Sequence, residues 1–588
     1  MYRILLAFLL ISFYGNAQTN NYKISFENAV HHEARVNISF PEVKTSSLDI
    51  RMSRTSPGRY ALHEFVKNVY GVKATNSKGE EIKIERNDPY SWKVSGHDGT
   101  VNIEYTLFAN RGDGTYSQID ETHAHLNIPA TFMYAEEFEH RPIEVNFEVR
   151  EDLNWKVATQ LKEEGSNTYS APNLYYFMDS PTEISDFKMK EFELDGQMIQ
   201  FTLHHEGTEA EFSEYFEQVK KIVEQEEAVF GELPEFDYGK YTFLACYMPN
   251  VSGDGMEHRN STILTDTDAI SEGGMRGNIG TVAHEFFHAW NVERIRPSEL
   301  EPFDFAGANM TGSLWFAEGF TSYYTGLMLC RAGARTPEEY IEGLNGTFNY
   351  VWNSPALEYF NPIEMSYQAT FVDAATSVDP TNRENTFVSY YSYGSILGLA
   401  LDLSLRQENL NLDDFMKLMW TKYGKTEVSY TIREIEQTLA EYAGMEFANQ
   451  FFKKHIYDSE MPDYDKLFGS VGIKLERSGK PDFGASLSEV ENGLKIDRNP
   501  FQTGAAYKTG LDNRDVITKI NGEKIESKDQ FDEMVANSSD NLKVTFTRFG
   551  KEKQTEVELG EDPTWIISID ENASKEALKK REKWLQPE

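Results

Sequence analysis

His284-Glu285-Phe286-Phe287-His288 is the stretch on which the reading of this chain turns. On a helix, positions i and i+4 stand one turn apart on the same face, so His284 and His288 can bind one metal ion together. Two neutral imidazoles suit zinc, and a catalytic zinc needs a third protein ligand and one open position for water. Glu285, beside the first histidine, is placed to reach that water and act as general base. The flanking residues support a buried helix. Ile279, Val282, Ala283, Phe286, Phe287 and Trp290 are apolar nearly all round, and Pro297 marks a stop soon after.

Residues 314–330 read as a second helix, in which Glu318 is the lone carboxylate of an apolar and aromatic stretch. With His284 and His288 it completes the expected zinc ligands, one Zn2+ per chain. The plainer alternative for Glu318 is a buried acid paired with Arg294 or Arg296. Those two arginines have two expectations of their own: to clamp a substrate carbonyl or to brace the lobes through ion pairs.

Residues 284–297, HEFFHAWNVERIRP, followed by 314–324, LWFAEGFTSYY, closely resemble the glycyl aminopeptidase family of zinc metallopeptidases. Upstream, Asp254-Gly255-Met256-Glu257-His258 is similar to the Gly-x-x-Glu-His element of that family and to the Gly-x-Met-Glu-Asn strand of related aminopeptidases. Tyr391-Ser392-Tyr393-Gly394 matches the Tyr-x-x-Gly element that supplies an oxyanion-binding tyrosine in those relatives. The resemblance therefore implies a thermolysin-like, two-lobed peptidase domain with the metal between a mixed lobe and a helical lobe. It implies Tyr391 as oxyanion donor, although Tyr393 stands where a lysine is common and Tyr390 is adjacent. It also implies that Glu257 pairs with the ammonium of a peptide substrate and that small N-terminal residues, glycine and alanine, are preferred. Met256, His258 or nearby aromatics are candidates for the wall of such a pocket, and a bond within the strand is the other role open to His258.

The rest of the chain fits a multidomain α+β protein. It has 588 residues, room for several cores, and 40% of them are hydrophobic. A net charge of −38, from 57 Lys and Arg against 95 Asp and Glu, repels nucleic acid and anionic membranes, so neither is an expected partner. Residues 1–17 read as a secretory signal: Arg3, an apolar run over 4–13, and Gly15-Asn16-Ala17 before Gln18. An exported protein, periplasmic or secreted and without stable membrane insertion, is expected. Cys246 and Cys330 sit in apolar runs and read as two buried thiols rather than a bridge.

Residues 18–195 alternate apolar with polar positions in runs such as 34–40, 101–107 and 143–149, the pattern of an antiparallel β domain. His123 and His125 share one strand face there and could form a minor metal site, but no third ligand stands nearby in the sequence, so a structural role is expected. Residues 196–464 form the expected peptidase domain, opening with a helix over 209–230 and a strand over 241–248. Residues 465–560 resemble a PDZ domain of the bacterial type, whose backbone amides at Phe483 to Ala485 would take the terminal carboxylate of a peptide or protein. Ala485 is smaller than usual at that loop, and packing or dimerisation is the other role open to the module. Residues 561–588 form a charged tail without an assignable role. Three functions are open: a zinc aminopeptidase, a zinc endopeptidase that recruits substrates through the PDZ-like module, and a peptide-binding scaffold. The intact set His284, Glu285, His288 and Glu318 argues against the scaffold, which has no chemical need for all four.

Overall fold

The computed structural model describes residues 18–372, 379–538 and 541–586, so the expected signal segment 1–17 lies outside the described residues. The chain divides into two units, one of residues up to 56 and 64–187, the other of residues 57–63 and 188 onward.

In the first unit the alternation seen in the sequence becomes a seven-stranded sheet. Glu33–Phe40 buries Ala34, Val36, Ile38 and Phe40, and its antiparallel partner Val101–Phe108 buries Val101, Ile103, Tyr105 and Leu107. Each such side chain contributes about 1.5–3 kcal/mol through burial. The sheet is not wholly antiparallel, because Asn20–Asn28 pairs in parallel with Ile143–Glu148. His123 and His125 lie on one short strand, and its antiparallel neighbour places Glu183 opposite His125, 3.3 Å from its Nδ1. His125 Nε2 also meets the Asp113 carbonyl at 3.0 Å, so this histidine ties a loop to the sheet.

The second unit opens with a five-stranded sheet in the spatial order Lys188–Leu194, Gln197–His205, Lys240–Tyr247, Ser261–Asp266, Asp254–His258. Its first strand lies inside the span 18–195 assigned above to the N-terminal domain, because Lys188–Leu194 takes its partner from Gln197–His205. The helix Glu209–Phe230 joins two parallel strands, closed at its start by a Thr208–Glu211 capping box and at its end by Gly231. Asp254–His258 is the edge strand, paired only with Ser261–Asp266.

Against this sheet packs the histidine helix, Gly274–Phe287. Phe286 meets Tyr241 edge-on at 5.0 Å, and Phe287 stacks on Tyr324 at 4.6 Å. The second helix read from the sequence is broken at Glu318 into Leu314–Ala317 and Gly319–Arg331. The latter, the glutamate helix, crosses the tyrosine helix Tyr390–Gln407 at a glycine pair. A Cβ on Gly394 would lie 1.9 Å from the Trp315 carbonyl and 2.7 Å from Gly319 Cα. Among the described residues no helix is long and apolar enough to cross a membrane.

The C-terminal part departs from the sequence division. The PDZ-like fold, with its sheet, its helix Lys528–Ala536 and a core that includes Leu494, Ile517, Phe531 and Val544, is present. It is threaded into a hairpin of the helical lobe, because Ile473–Arg477 pairs antiparallel with Trp565–Ile569. The tail then returns as the helix Lys575–Leu585, and Trp584 enters the same core as Phe286, Tyr324 and Phe468. Its indole Nε1 donates to Tyr323 Oη at 2.9 Å. A boundary after residue 464 therefore cuts through packed structure, and the tail has a role: it closes the core behind the glutamate helix. Trp584→Ala should lower stability by about 3–5 kcal/mol in denaturant titration. Replacing residues 479–563 with a two-residue Asn-Gly turn should leave the thermal midpoint of the remainder nearly unchanged, because Arg477 and Trp565 are already paired.

Candidate active site

His284 lies in the last turn of the histidine helix and His288 caps it, so their rings meet edge-on at 4.7 Å. After His288 the chain turns, and Asn291 pins that turn to the glutamate helix. The Asn291 amide donates to the carbonyls of Phe316 and Ala317 at 3.2 and 3.1 Å, two residues and one residue before Glu318. Glu318 Oε2 consequently lies 3.2 Å from His288 Nε2 and 3.4 Å from His284 Nε2. A tetrahedral zinc with bonds of about 2.0–2.2 Å requires donor separations of roughly 3.3 Å. The three residues fit zinc.

Both imidazoles are held in the tautomer that such a site needs. His288 Nδ1 donates to the Asn291 carbonyl at 2.6 Å, which leaves Nε2 its lone pair. Thr325 Oγ1 donates its hydrogen to the Thr321 carbonyl and so can only accept from His284 Nδ1, at 3.2 Å. The free oxygen of Glu318, Oε1, accepts from Tyr60 Oη at 2.9 Å. Arg294 and Arg296 do not pair with Glu318. Arg294 donates to the carbonyls of Arg259, Ala289 and Glu235 and to Asn260 Oδ1, while Arg296 pairs with Glu301 and Glu293. Of their two expectations, bracing is the one the structure supports, and Arg294 does it through carbonyls rather than through an ion pair.

The sheet edge brings the second set of carboxylates. Glu257 and Glu285 each place an oxygen within 4.8 Å of the others and of a His288 ring nitrogen. Glu285 can lie so close because Gly255 is bare: a Cβ there would sit 2.2 Å from Glu285 Oε1. Glu285 Oε2 is buried and without a hydrogen-bond partner among the described residues. Met256 and His258 are buried on the alternate side of the strand. The Met256 sulfur fills the space beside Gly58, whereas His258, expected in the substrate pocket, is not among the groups that converge on the metal position.

Electrostatically this pocket is short of positive charge. Burial, with Glu257, Glu318 and Asp254 nearby, pushes the Glu285 carboxyl well above its ordinary range, and burial also raises Glu257. Burial works against the His288 cation, but Glu318 and Glu257 outweigh it and push its pKa up to about 10. His284 is lowered, by burial first. Glu318, in contrast, is held low by the two histidines, so Glu257 and Glu285 are the carboxylates that a cation would relieve.

Of the three tyrosines, Tyr391 is the one at the site, its ring 5.9 Å from that of His284. Tyr390 stacks on it at 4.7 Å and is buried, while Tyr393 is buried in the lobe beside Asp458 and Tyr464. Sequence reasoning missed Asn291, Thr325 and Tyr60. Asn291 and Thr325 carry a faint signal, being polar residues inside apolar stretches. Tyr60 carries none, since it lies 258 positions from Glu318.

In the PDZ-like module the edge strand Leu487–Val490 pairs with Gly493–Ile496 on one side only. Burial raises the Asp482 carboxyl, which stands next in sequence to the loop Phe483 to Ala485 whose amides are expected to take a terminal carboxylate.

Residues 277–397 match the family model of M61 glycyl aminopeptidase, residues 21–186 that of the peptidase M61 N-terminal domain, and residues 481–559 that of the PDZ domain. The family likeness read from the sequence is the one these models return, and it supports a peptidase. No curated protein matches the chain. Among solved structures, the aminopeptidase N family protein from Idiomarina loihiensis shares the fold, with a TM-score of 0.84 and 22% identity over 97% of this chain and 100% of that one. An M1 zinc metallopeptidase from Deinococcus radiodurans aligns over 76% of this chain and 94% of its own, at 11% identity and a TM-score of 0.42, too slight a likeness to argue from.

Two substitutions separate the roles. His288→Ala should abolish stoichiometric zinc in metal analysis. Glu285→Gln should keep zinc yet lose peptide hydrolysis by about 10²–10⁴-fold, the usual worth of a general base.

Proposed function

We propose that this chain is a zinc-dependent aminopeptidase that hydrolyses the first peptide bond of peptides and prefers glycine and alanine at the N-terminus. The observation that carries the reading is the arrangement of two carboxylates, Glu257 and Glu285, around the group formed by His284, His288 and Glu318. Zinc held by those three residues supplies Lewis acidity, polarising the scissile carbonyl and acidifying water.

The chain's own residues do the rest. Glu285 offers a buried oxygen with no competing partner among the described residues, so it can take a proton from the attacking water. The same carboxyl, once protonated, can return that proton to the departing amine. Glu257 is destabilised as an anion by burial until a cation reaches it, and the substrate ammonium is that cation. In an N-terminal residue one Cα separates the amine from the reacting carbonyl. A carboxylate oxygen within 4.8 Å of the His288 ring nitrogen matches that short span and sets the register. Tyr391, half-buried beside His284, supplies a hydroxyl donor for the oxyanion of the tetrahedral intermediate. The preference for small side chains rests on the family resemblance and requires a shallow first pocket beside Glu257.

Endopeptidase action through PDZ recruitment is the weaker reading, because Glu257, a second carboxylate beside the candidate metal position, suits a free ammonium. Residues 1–17 we read as a signal that directs export; N-terminal sequencing of exported protein should begin at Gln18, and a retained Met1 would refute cleavage.

Matched peptides with free and acetylated N-termini test the main proposal. Only the free ones should be cleaved, glycine and alanine faster than leucine, and Glu257→Ala should raise KM for them by at least tenfold while zinc content stays at one per chain. Efficient cleavage of acetylated peptides would establish an endopeptidase instead.

A further inference from the structure

Residues 57–63 are flanked in sequence by the first unit on both sides, yet their contacts assign them to the second. Three successive residues of this segment meet three parts of the active site. Gly58 has a backbone φ of +80°, and a Cβ on it would lie 2.2 Å from the Met256 sulfur and 2.8 Å from Glu257 Oε2. Only glycine fits both the conformation and the space. Arg59 pairs with Asp254, the first residue of the strand that carries Glu257. Tyr60 is buried; its hydroxyl donates to Glu318 Oε1, and its ring meets Tyr390 edge-on at 6.5 Å. The Tyr60 carbonyl is held by Thr370 Oγ1 at 2.8 Å.

We propose that Tyr60 is a positioning residue of the metal site, and that it makes Glu318 a one-oxygen ligand. This rests on the zinc reading above. A carboxylate with both oxygens available can grip a cation with two, filling the position that a catalytic zinc must keep open for water and substrate. Here Oε1 is committed to the Tyr60 hydroxyl, so Oε2, the oxygen that faces both histidines, is the one presented. The aromatic contacts Tyr60–Tyr390 and Tyr390–Tyr391 tie the same segment to the tyrosine that faces His284. One inserted segment thus sets the ligand carboxylate, borders the ammonium-binding carboxylate and abuts the oxyanion tyrosine through its neighbour.

The hydroxyl is removed without the ring in Tyr60→Phe. That change leaves Oε1 buried and unpaired, a cost that falls on the metal-competent arrangement. Zinc affinity, measured by competition with a chromogenic chelator, should fall 10–100-fold, the usual effect of losing a partner of a metal ligand. In the cobalt-substituted protein the visible absorption should change, reporting an altered coordination number, and kcat should fall more than KM rises. Thr370→Val, which frees the Tyr60 carbonyl from outside the metal site, should lower zinc affinity by a smaller factor. It provides the test if Tyr60→Phe yields no folded protein. Wild-type protein that holds zinc, with both variants folded, equal in zinc affinity and unchanged in cobalt spectrum, would overturn the role of Tyr60 and leave the peptidase reading standing. Wild-type protein that holds no zinc would overturn both.

Discussion

One carboxylate oxygen is held 3.2 and 3.4 Å from two ring nitrogens in a largely buried pocket, and the surrounding architecture serves that spacing. It cannot come from the helix alone, which supplies the histidines but not the acid. The chain turns back after His288 so that Asn291 can bond the carbonyls just before Glu318, and the hydrogen bond from His288 to the Asn291 carbonyl closes the loop between the two elements. The glycine contact between the glutamate and tyrosine helices does the same service at longer range. By removing two side chains it lets the helix bearing Tyr391 approach to within ring contact of His284.

This geometry is unfavourable by itself. Glu257, Glu285 and Glu318 are all buried within reach of one another, and the desolvation of such groups costs several kcal/mol each unless compensated. Compensation comes from beneath. Phe230, Phe286, Phe287, Trp290 and Tyr324 form an aromatic bed in which Trp290 stacks on Phe230 at 4.7 Å, and the histidine helix could not shift to relieve its carboxylates without disturbing that packing. The site is thus a strained polar cluster carried on an apolar foundation, the usual arrangement where chemistry requires charges that folding would avoid.

Local order was legible in the sequence wherever period and capping agreed. The helix Glu209–Phe230 runs over the stretch read as helical, and the alternating stretches 34–40 and 101–107 form antiparallel strands. His284, Glu285 and His288 declare themselves because one turn of helix encodes their geometry. Glu318 follows from being the sole acid in an apolar stretch. What failed to show was pairing over distance. Nothing near Tyr60 marks it as a neighbour of Glu318, nothing in Ile143–Glu148 says that its partner runs parallel, and the apolar residues of the tail look like those of any amphipathic helix until a core is found for Trp584. His258 shows the reverse case: the motif offered a substrate contact or a bond within the strand, and alternation places its side chain on the face opposite Glu257.

The placement of the PDZ-like module within a hairpin also has a consequence for how the molecule is made. Translation delivers the catalytic residues first, then the whole module, and only afterwards Ile567, Trp584 and Leu585, which fill the core behind the glutamate helix. While the module is emerging, the helical lobe already carries His284, His288 and Glu318 but has an open back. Its core closes only once residues 565–585 have followed the module, and a chain interrupted before them leaves the back of the glutamate helix uncovered.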